Sequence, residues 1–334
     1  MSGGVDSSVA AALLRDQGHD VTGVTLRLWG GDADAGCCSV ADVEDARRVA
    51  AQLGLPHYVF DFADDFDASV VSPFVAAYVA GHTPNPCVDC NNTMKWGRLL
   101  DRALAIGFDA IATGHHARVE TMHGALELRR GADAAKDQSY VLARLGPPQL
   151  ARTLLPVGEL TKADVRAHAT RLGLRTAAKA ESMDVCFVKR GERRSFVAGR
   201  AEERPGVMVT TNGQVVGEHT GVSAFTIGQR RGLGVALGER RFVVDVDADA
   251  ATVTIGRHDD LLCDSQPLRD LRVLGGELAP GSEVLAQVRA HGEALPARWE
   301  GGCVAWHRPQ PRVAPGQVVA LYRDDVVLGG ALAA

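Results

Sequence analysis

The chain has 334 residues, 46% of them hydrophobic, which is enough to bury a substantial core and to fill about two or three domains. No apolar run reaches the ~18 residues of a membrane span, and the amino-terminal MSGGVDSSVAAALL lacks the basic lead-in of a secretion signal, so the reading is cytoplasmic with no membrane partner. A net charge of -5 does not mark a nucleic-acid binder, and seven cysteines, an odd number scattered over a long chain, argue against a disulfide framework and for catalytic or metal-binding thiols.

The first half alternates two patterns. Val9, Ala12 and Leu13 among alanines predict a helix that stops near Gly18, and DVTGVTL after it has the β-branched content of a strand. Ser39 followed by Asp42 resembles a capping box opening a helix that Gly54 closes, and HYVFDF is the next strand. KWGRLLDRALAIG and AIATGHHARV repeat helix then strand, and Thr161 to Gly173 forms a further capped helix. Strands alternating with helices predict an α/β domain with a parallel sheet that binds ligands at the strand C-terminal edge.

Past about residue 200 the pattern changes. GVMVTTNGQVVGEH predicts a hairpin turning at Asn212-Gly213, RRFVVDVDADAATVTIG predicts a second, and short β-rich runs continue from Glu283. Two small β-rich domains are therefore expected, with linkers at Gly199 to Pro205 and near Asp259 to Pro267 and domains over 1–198, 199–260 and 261–334.

SGGVDSS, Ser2 to Ser8, precedes the first helix. Glycines let the backbone approach an anion, serines add donors, and the helix start offers unpaired N–H groups and a positive dipole end. No Gly-Lys-[Ser/Thr] follows, so this is not the loop that grips a γ-phosphate. A loop of this kind follows a buried strand, yet it starts one residue into the chain, which favours a start placed about ten residues too late.

NPCVDCN, residues 85–91, sets Cys87 and Cys90 two residues apart. That spacing serves zinc sites, iron–sulfur clusters, dithiol chemistry or a single nucleophile, and it does not decide among them. Lys189, Arg190, Arg193, Arg194 and Arg200 crowd after Cys186 and read either as a solvated surface or as a contact to phosphates.

The phosphate loop resembles the PP-loop of the ATP pyrophosphatases. GHTPNPCVDCN, ATGHHAR, KDQSYVLARL, LLPVGELTKADVR, VCFV, TIGQRRGLG and PGQVVALY follow in that order, and together the set resembles the tRNA-specific 2-thiouridylase family over essentially the whole chain. The resemblance implies adenylation by ATP with Mg2+ of C2 of the wobble uridine, position 34 of tRNA. Replacement by persulfide sulfur follows, releasing AMP and pyrophosphate and giving 2-thiouridine. It implies Cys90 as nucleophile and Cys186 as persulfide carrier, with a transient disulfide between them. Met1, Ser2, Gly3, Gly4, Val5, Asp6, Ser7, Leu26 and Gly114 would bind ATP, Asp6 being a magnesium contact. Asn85, Pro86, Cys87, His115, Lys136, Asp137, Gln138 and Gln317 would meet tRNA at its anticodon stem-loop. The implied partners are tRNA and a sulfur-relay protein or cysteine desulfurase.

Two departures stand out. Many members of that family carry Asp where this chain has Cys87, and a thiol there adds a soft ligand, so that Cys87, Cys90 and Cys186 make the donor set of an iron–sulfur cluster with one open iron. ESMD before the second cysteine differs from the usual Asp-Ser version, and the region near His291 matches poorly and is left unassigned. Cys37, Cys38, Cys263 and Cys303 lack partner spacing and read as structural. The competing functions are another PP-loop synthetase making an amide or amidine, which would not need Cys90 or Cys186, and a non-catalytic tRNA-binding relative.

Overall fold

A computed structural model describes residues 1–29, 40–180, 185–189, 191–235 and 238–334. The first helix, Val5–Asp16, starts where Gly4 is extended (φ -94°, ψ 165°) after Gly3 has taken φ +68°, a backbone state that a glycine adopts without strain. Its alanines and Val9 are buried with Val49 and Leu53 of the helix Val40–Leu53 and with Val165 and Ala169 of the helix Lys162–Arg171. The latter carries the expected cap: Asp164 N–H donates to Thr161 Oγ1 at 3.2 Å and Thr161 N–H to Asp164 Oδ2 at 3.0 Å. Gly54 closes the second helix at φ +71°, whereas Ser39, the expected start of its capping box, lies outside the described residues.

Strands β1 (Gly23–Arg27) and β2 (His57–Asp61) pair in parallel, Leu26 opposite Phe60. A helical stretch, Ala63–Phe66, Asp67–Val71 and Ser72–Val79, brings the chain to Asn85. The cysteine helix then runs through Pro86–Cys90, a wider-turned Asn91–Leu99 and Leu100–Ala105.

The next expected strand is only partly there. Ile111–Ala112 (β3) ends at Gly114-His115-His116, and the chain leaves the α/β layer as a hairpin, β4 (Ala117–Met122) and β5 (Ala125–Arg130). Strand β3 pairs in parallel with β6 (Thr153–Leu154). The hairpin turns through His123 and Gly124, both at positive φ (51° and 81°), a two-residue turn the sequence signals by His-Gly between alternating residues. Charged side chains dominate that alternation, which hid it. Arg118 and Arg129 of the hairpin both bind Asp325.

The two later hairpins form as expected: β7 (Gly206–Thr210) with β8 (Val215–His219), and β9 (Phe242–Asp247) with β10 (Thr252–Gly256), β7 and β10 joining them in parallel. The expected linker near Asp259 to Pro267 is not one. After a single turn at Asp259–Leu261, strand β11 (Leu262–Val273) begins and carries Pro267 within it, its register shifting on either side. It is followed by β12 (Glu283–Gln287), β13 (Leu295–Trp299), β14 (Cys303–Pro311), β15 (Val318–Arg323) and β16 (Val326–Ala333). These six close into a barrel through pairing of β11 with both β14 and β16, and β5 adds the hairpin to the outside of β16.

One buried cluster crosses this layout. Val88, Trp96 and Leu100 of the cysteine helix, Leu128 of β5, Tyr140, Leu142 and the barrel residues Val318, Tyr322 and Val327 share a single core. Burial of this kind stabilises by ~25 cal/mol per Å² of apolar surface, so the barrel and the cysteine helix are held by common, not separate, apolar contacts.

Candidate active site

The phosphate loop is tightly confined. A Cβ on Gly3 would lie 2.3 Å from the carbonyl oxygen of Asp42, and one on Gly114 would lie 2.6 Å from the backbone of Asp6 and Ser7. Only glycine lets these segments meet. Ser2 N–H donates to Ser7 Oγ at 3.1 Å and Ser8 Oγ–H to Gly4 O at 2.8 Å, shaping the turn around the helix start, while Val5 is buried in the core beneath it. The Met1 amino group donates to Val24 O, and Met1 O accepts from Thr25 Oγ1 at 2.7 Å, so the root of the loop lies along β1.

Asp6 is held from two sides. Lys162 Nζ lies 2.8 and 2.7 Å from its two oxygens, and His116 Nε2 lies 3.2 Å from Oδ1. Burial works against the charged carboxyl, but these hydrogen bonds and charges outweigh it and hold the pKa below the usual value. His115, buried with its ring tilted against Trp96 at a centroid distance of 5.6 Å, hydrogen-bonds Thr113 Oγ1 at 2.7 Å; burial first, then Lys95, push its pKa well below normal, leaving it neutral at pH 7. Lys162 and Trp96 escaped the sequence reading. Lys162 stands in the motif LLPVGELTKADVR, but nothing local ties residue 162 to residue 6.

Asn85 begins the cysteine helix, its Oδ1 accepting Val88 N–H at 3.4 Å, with Pro86 supplying the first helical φ. Cys90 and Cys186, far apart in sequence, are both half-buried against one apolar cluster of Phe66, Phe74, Met94 and Phe187, against which Leu26 also packs. Cys87 is exposed. Among the described residues no three His, Cys, Asp or Glu side chains are grouped to hold a metal ion. Asp6, the expected magnesium contact, has its oxygens engaged by Lys162 and His116. Asp89, between Cys87 and Cys90 in sequence, is raised to about 6 by burial, with Arg144 and Arg272 pulling the other way.

The expected tRNA contacts fall into two groups. Gln138 bonds His116 N–H through Oε1 at 2.9 Å beside the loop, and Lys136 is half-buried nearby in sequence. Gln317 begins β15's approach, its carbonyl accepting Ala333 N–H at 2.8 Å; Thr83 N–H, just before Asn85, reaches Pro315 O at 2.7 Å, and Tyr140 bonds Val318 O at 2.8 Å while meeting the Asn85 side chain. Asn85 and Gln317 thus belong to one surface joining helix and barrel. Asp137 is buried, taking hydrogen bonds from Arg130, Gly131 N–H and Ser139, so its side chain is occupied inside the junction.

The basic run is anchored more than its composition implies. Arg193 lies over the Tyr78 ring (4.4 Å) and donates to Ser223 O at 2.9 Å, and Arg200 lies over Phe196 (4.1 Å). Arg194 is exposed, donating to Thr220 Oγ1 at 3.0 Å; Arg190 and the ESMD segment, 181–184, lie outside the described residues, as do Cys37 and Cys38.

Comparison with known proteins matches the fold. The tRNA methyl transferase HUP domain family matches residues 1–190, its PRC-barrel domain residues 194–257, and the aminomethyltransferase beta-barrel domain residues 270–333. The chain is 46% identical to the tRNA-specific 2-thiouridylase MnmA of Moorella thermoacetica, covering 99% of this chain and 97% of that protein. It is 47% identical to the protein of the same name from Mycobacteroides abscessus, over 99% and 97%, and 45% identical to that of Roseiflexus sp., over 99% and 96%. No helix among the described residues is long and apolar enough to cross a membrane. With a HUP-type nucleotide loop, a PRC barrel, a six-stranded β-barrel and both cysteines set on one apolar cluster, the chain belongs to the tRNA-specific 2-thiouridylase family.

Proposed function

We propose that this protein is an ATP-dependent tRNA 2-thiouridylase acting in the cytoplasm on the wobble uridine. The observation that supports the reading is the shared cluster against which Leu26, Cys90 and Cys186 all pack, two thiols distant in sequence on one apolar floor. ATP binds with its β- and γ-phosphates at the start of Val5–Asp16, where the N–H groups and helix dipole favour anions. Uridine O2 attacks the α-phosphate, the bond to the β-phosphate breaks, and pyrophosphate leaves.

Sulfur then displaces AMP. A persulfide on Cys186, loaded by a sulfur-relay protein or cysteine desulfurase, is cleaved by the Cys90 thiolate; the outer sulfur leaves as hydrosulfide, attacks C2, and AMP departs with the oxygen. The Cys90–Cys186 disulfide that remains is returned to two thiols by a cellular dithiol, which supplies the two electrons. Magnesium, when bound, offsets charge on the ATP phosphates. Asp6, held by Lys162 and His116, fixes the loop against Gly114. Neutral His115 and the Asn85–Pro86 turn line the path of a flipped base, and Gln317 and Lys136 contact the tRNA around it.

The test is incubation with unmodified tRNA, ATP, magnesium and a sulfur source, then digestion and mass spectrometry. The expected products are 2-thiouridine and AMP, and Cys90→Ser and Cys186→Ser each abolish the thiolated base. ADP in place of AMP would sink the adenylation step.

A further inference from the structure

Lys95 follows Cys90 on the cysteine helix, one turn and a half along, and it has no part in the mechanism above. Its side chain is half-buried. It lies close enough to the ring of His115 and to the amino group of Met1 to act on both electrostatically, and its neighbour Trp96 contacts the His115 ring. His115 follows Gly114, which touches the backbone of Asp6 and Ser7. Lys95 therefore stands where the cysteine helix meets the phosphate loop.

The lysines around this loop differ in their partners: Lys179 pairs with Asp42 and Asp45 behind Gly3. Lys162 is bound to both oxygens of Asp6. Lys95 makes no ion pair or side-chain hydrogen bond among the described residues. The carboxylate that acts on His115, Asp6, is already engaged by Lys162 and His116. A half-buried ammonium without a counter-charge is costly unless an anion arrives to meet it.

Resting on the adenylation reading, we infer that Lys95 is a phosphate-binding residue that takes the α-phosphate of ATP and then the phosphate of the uridine adenylate. The helix start of Val5–Asp16 serves the departing pyrophosphate, and the α-phosphate is the group that must sit between that helix and Cys90. A cation there stabilises charge on the phosphate as pyrophosphate leaves and again as AMP departs.

The experiment is calorimetric titration of the full chain, as wild type, Lys95→Met, Lys95→Gln and Lys95→Arg, with ATP, AMP, pyrophosphate and adenosine. Loss of one charge-assisted contact weakens ATP and AMP by about tenfold or more in the Met and Gln variants. Adenosine and pyrophosphate binding stay unchanged, Arg recovers most of the loss, and the ligand-free melting temperature matches wild type. Unchanged AMP affinity, or equal loss for adenosine, overturns the role of Lys95 while leaving the adenylation reading intact. Wild type that thiolates tRNA without binding ATP overturns the reading itself.

Discussion

Lys162 Nζ spans the two carboxylate oxygens of Asp6 at 2.8 and 2.7 Å, joining the start of one helix to the phosphate loop before another. Lys162→Met should lower kcat/KM for ATP by roughly 10- to 100-fold and stability by about 1–3 kcal/mol, since it strands a half-buried carboxylate. Steady-state AMP release and urea denaturation read the two effects.

The same pair sets an acid limit. The folded pKa of Asp6 lies below its unfolded value of 3.8, so its stabilising contribution is complete above that value and is lost as pH falls through the lower, folded one. Melting temperature should therefore drop more steeply below about pH 4 in wild type than in Asp6→Asn. Parallel profiles for the two proteins would contradict this.

Gly114→Ala is expected to abolish nucleotide binding without unfolding the barrel. Its new methyl would lie 2.6 Å from the Asp6 carbonyl carbon and the Ser7 nitrogen, both backbone atoms, so the loop must shift. ATP titration should show a loss of at least about tenfold, with the melting transition kept.

Asp137→Asn removes the charge facing Arg130 Nη1, 2.7 Å away, and disturbs acceptance from two backbone N–H groups. Breaking such a buried pair costs about 3–5 kcal/mol. Chemical denaturation would detect it, and a change under 1 kcal/mol, the ~0–1 range of surface pairs, would show that the junction does not depend on this charge.

The basic run divides by anchoring. Arg194→Ala should reduce the slope of log affinity for tRNA against log salt by about one phosphate contact. Arg193→Ala, losing Tyr78 and the Ser223 carbonyl, should cost about 1–2 kcal/mol of stability. Filter binding across salt concentrations, with thermal melts, separates the two.

Local chemistry was the legible part of this chain. The Thr161 cap, the Asn212-Gly213 hairpin and the glycines of the phosphate loop each act within a few residues, and each was readable. What connects distant segments was not. Nothing in Ala117–Arg130 announces that its hairpin will join β16, because its partner Asp325 lies some two hundred residues on and its alternation is written in charges. Lys162 with Asp6 and Tyr140 with Val318 were hidden for the same reason. Burial of Asp137 went unseen because an acidic residue in a polar motif reads as surface until Arg130 is placed beside it.

The core shared by Val88, Trp96, Leu128, Tyr140 and Tyr322 has a bearing on how relatives can be recombined. A chimera spliced at the sequence boundaries would graft a foreign barrel onto a hairpin and a cysteine helix shaped for another. The exchangeable unit is the barrel together with Ala117–Met122, Ala125–Arg130 and the helix that carries Cys90, three segments that inheritance must keep matched. Substitutions at Tyr322 or Val318 thus bear on the seat of the helix carrying Cys90 as directly as substitutions beside it.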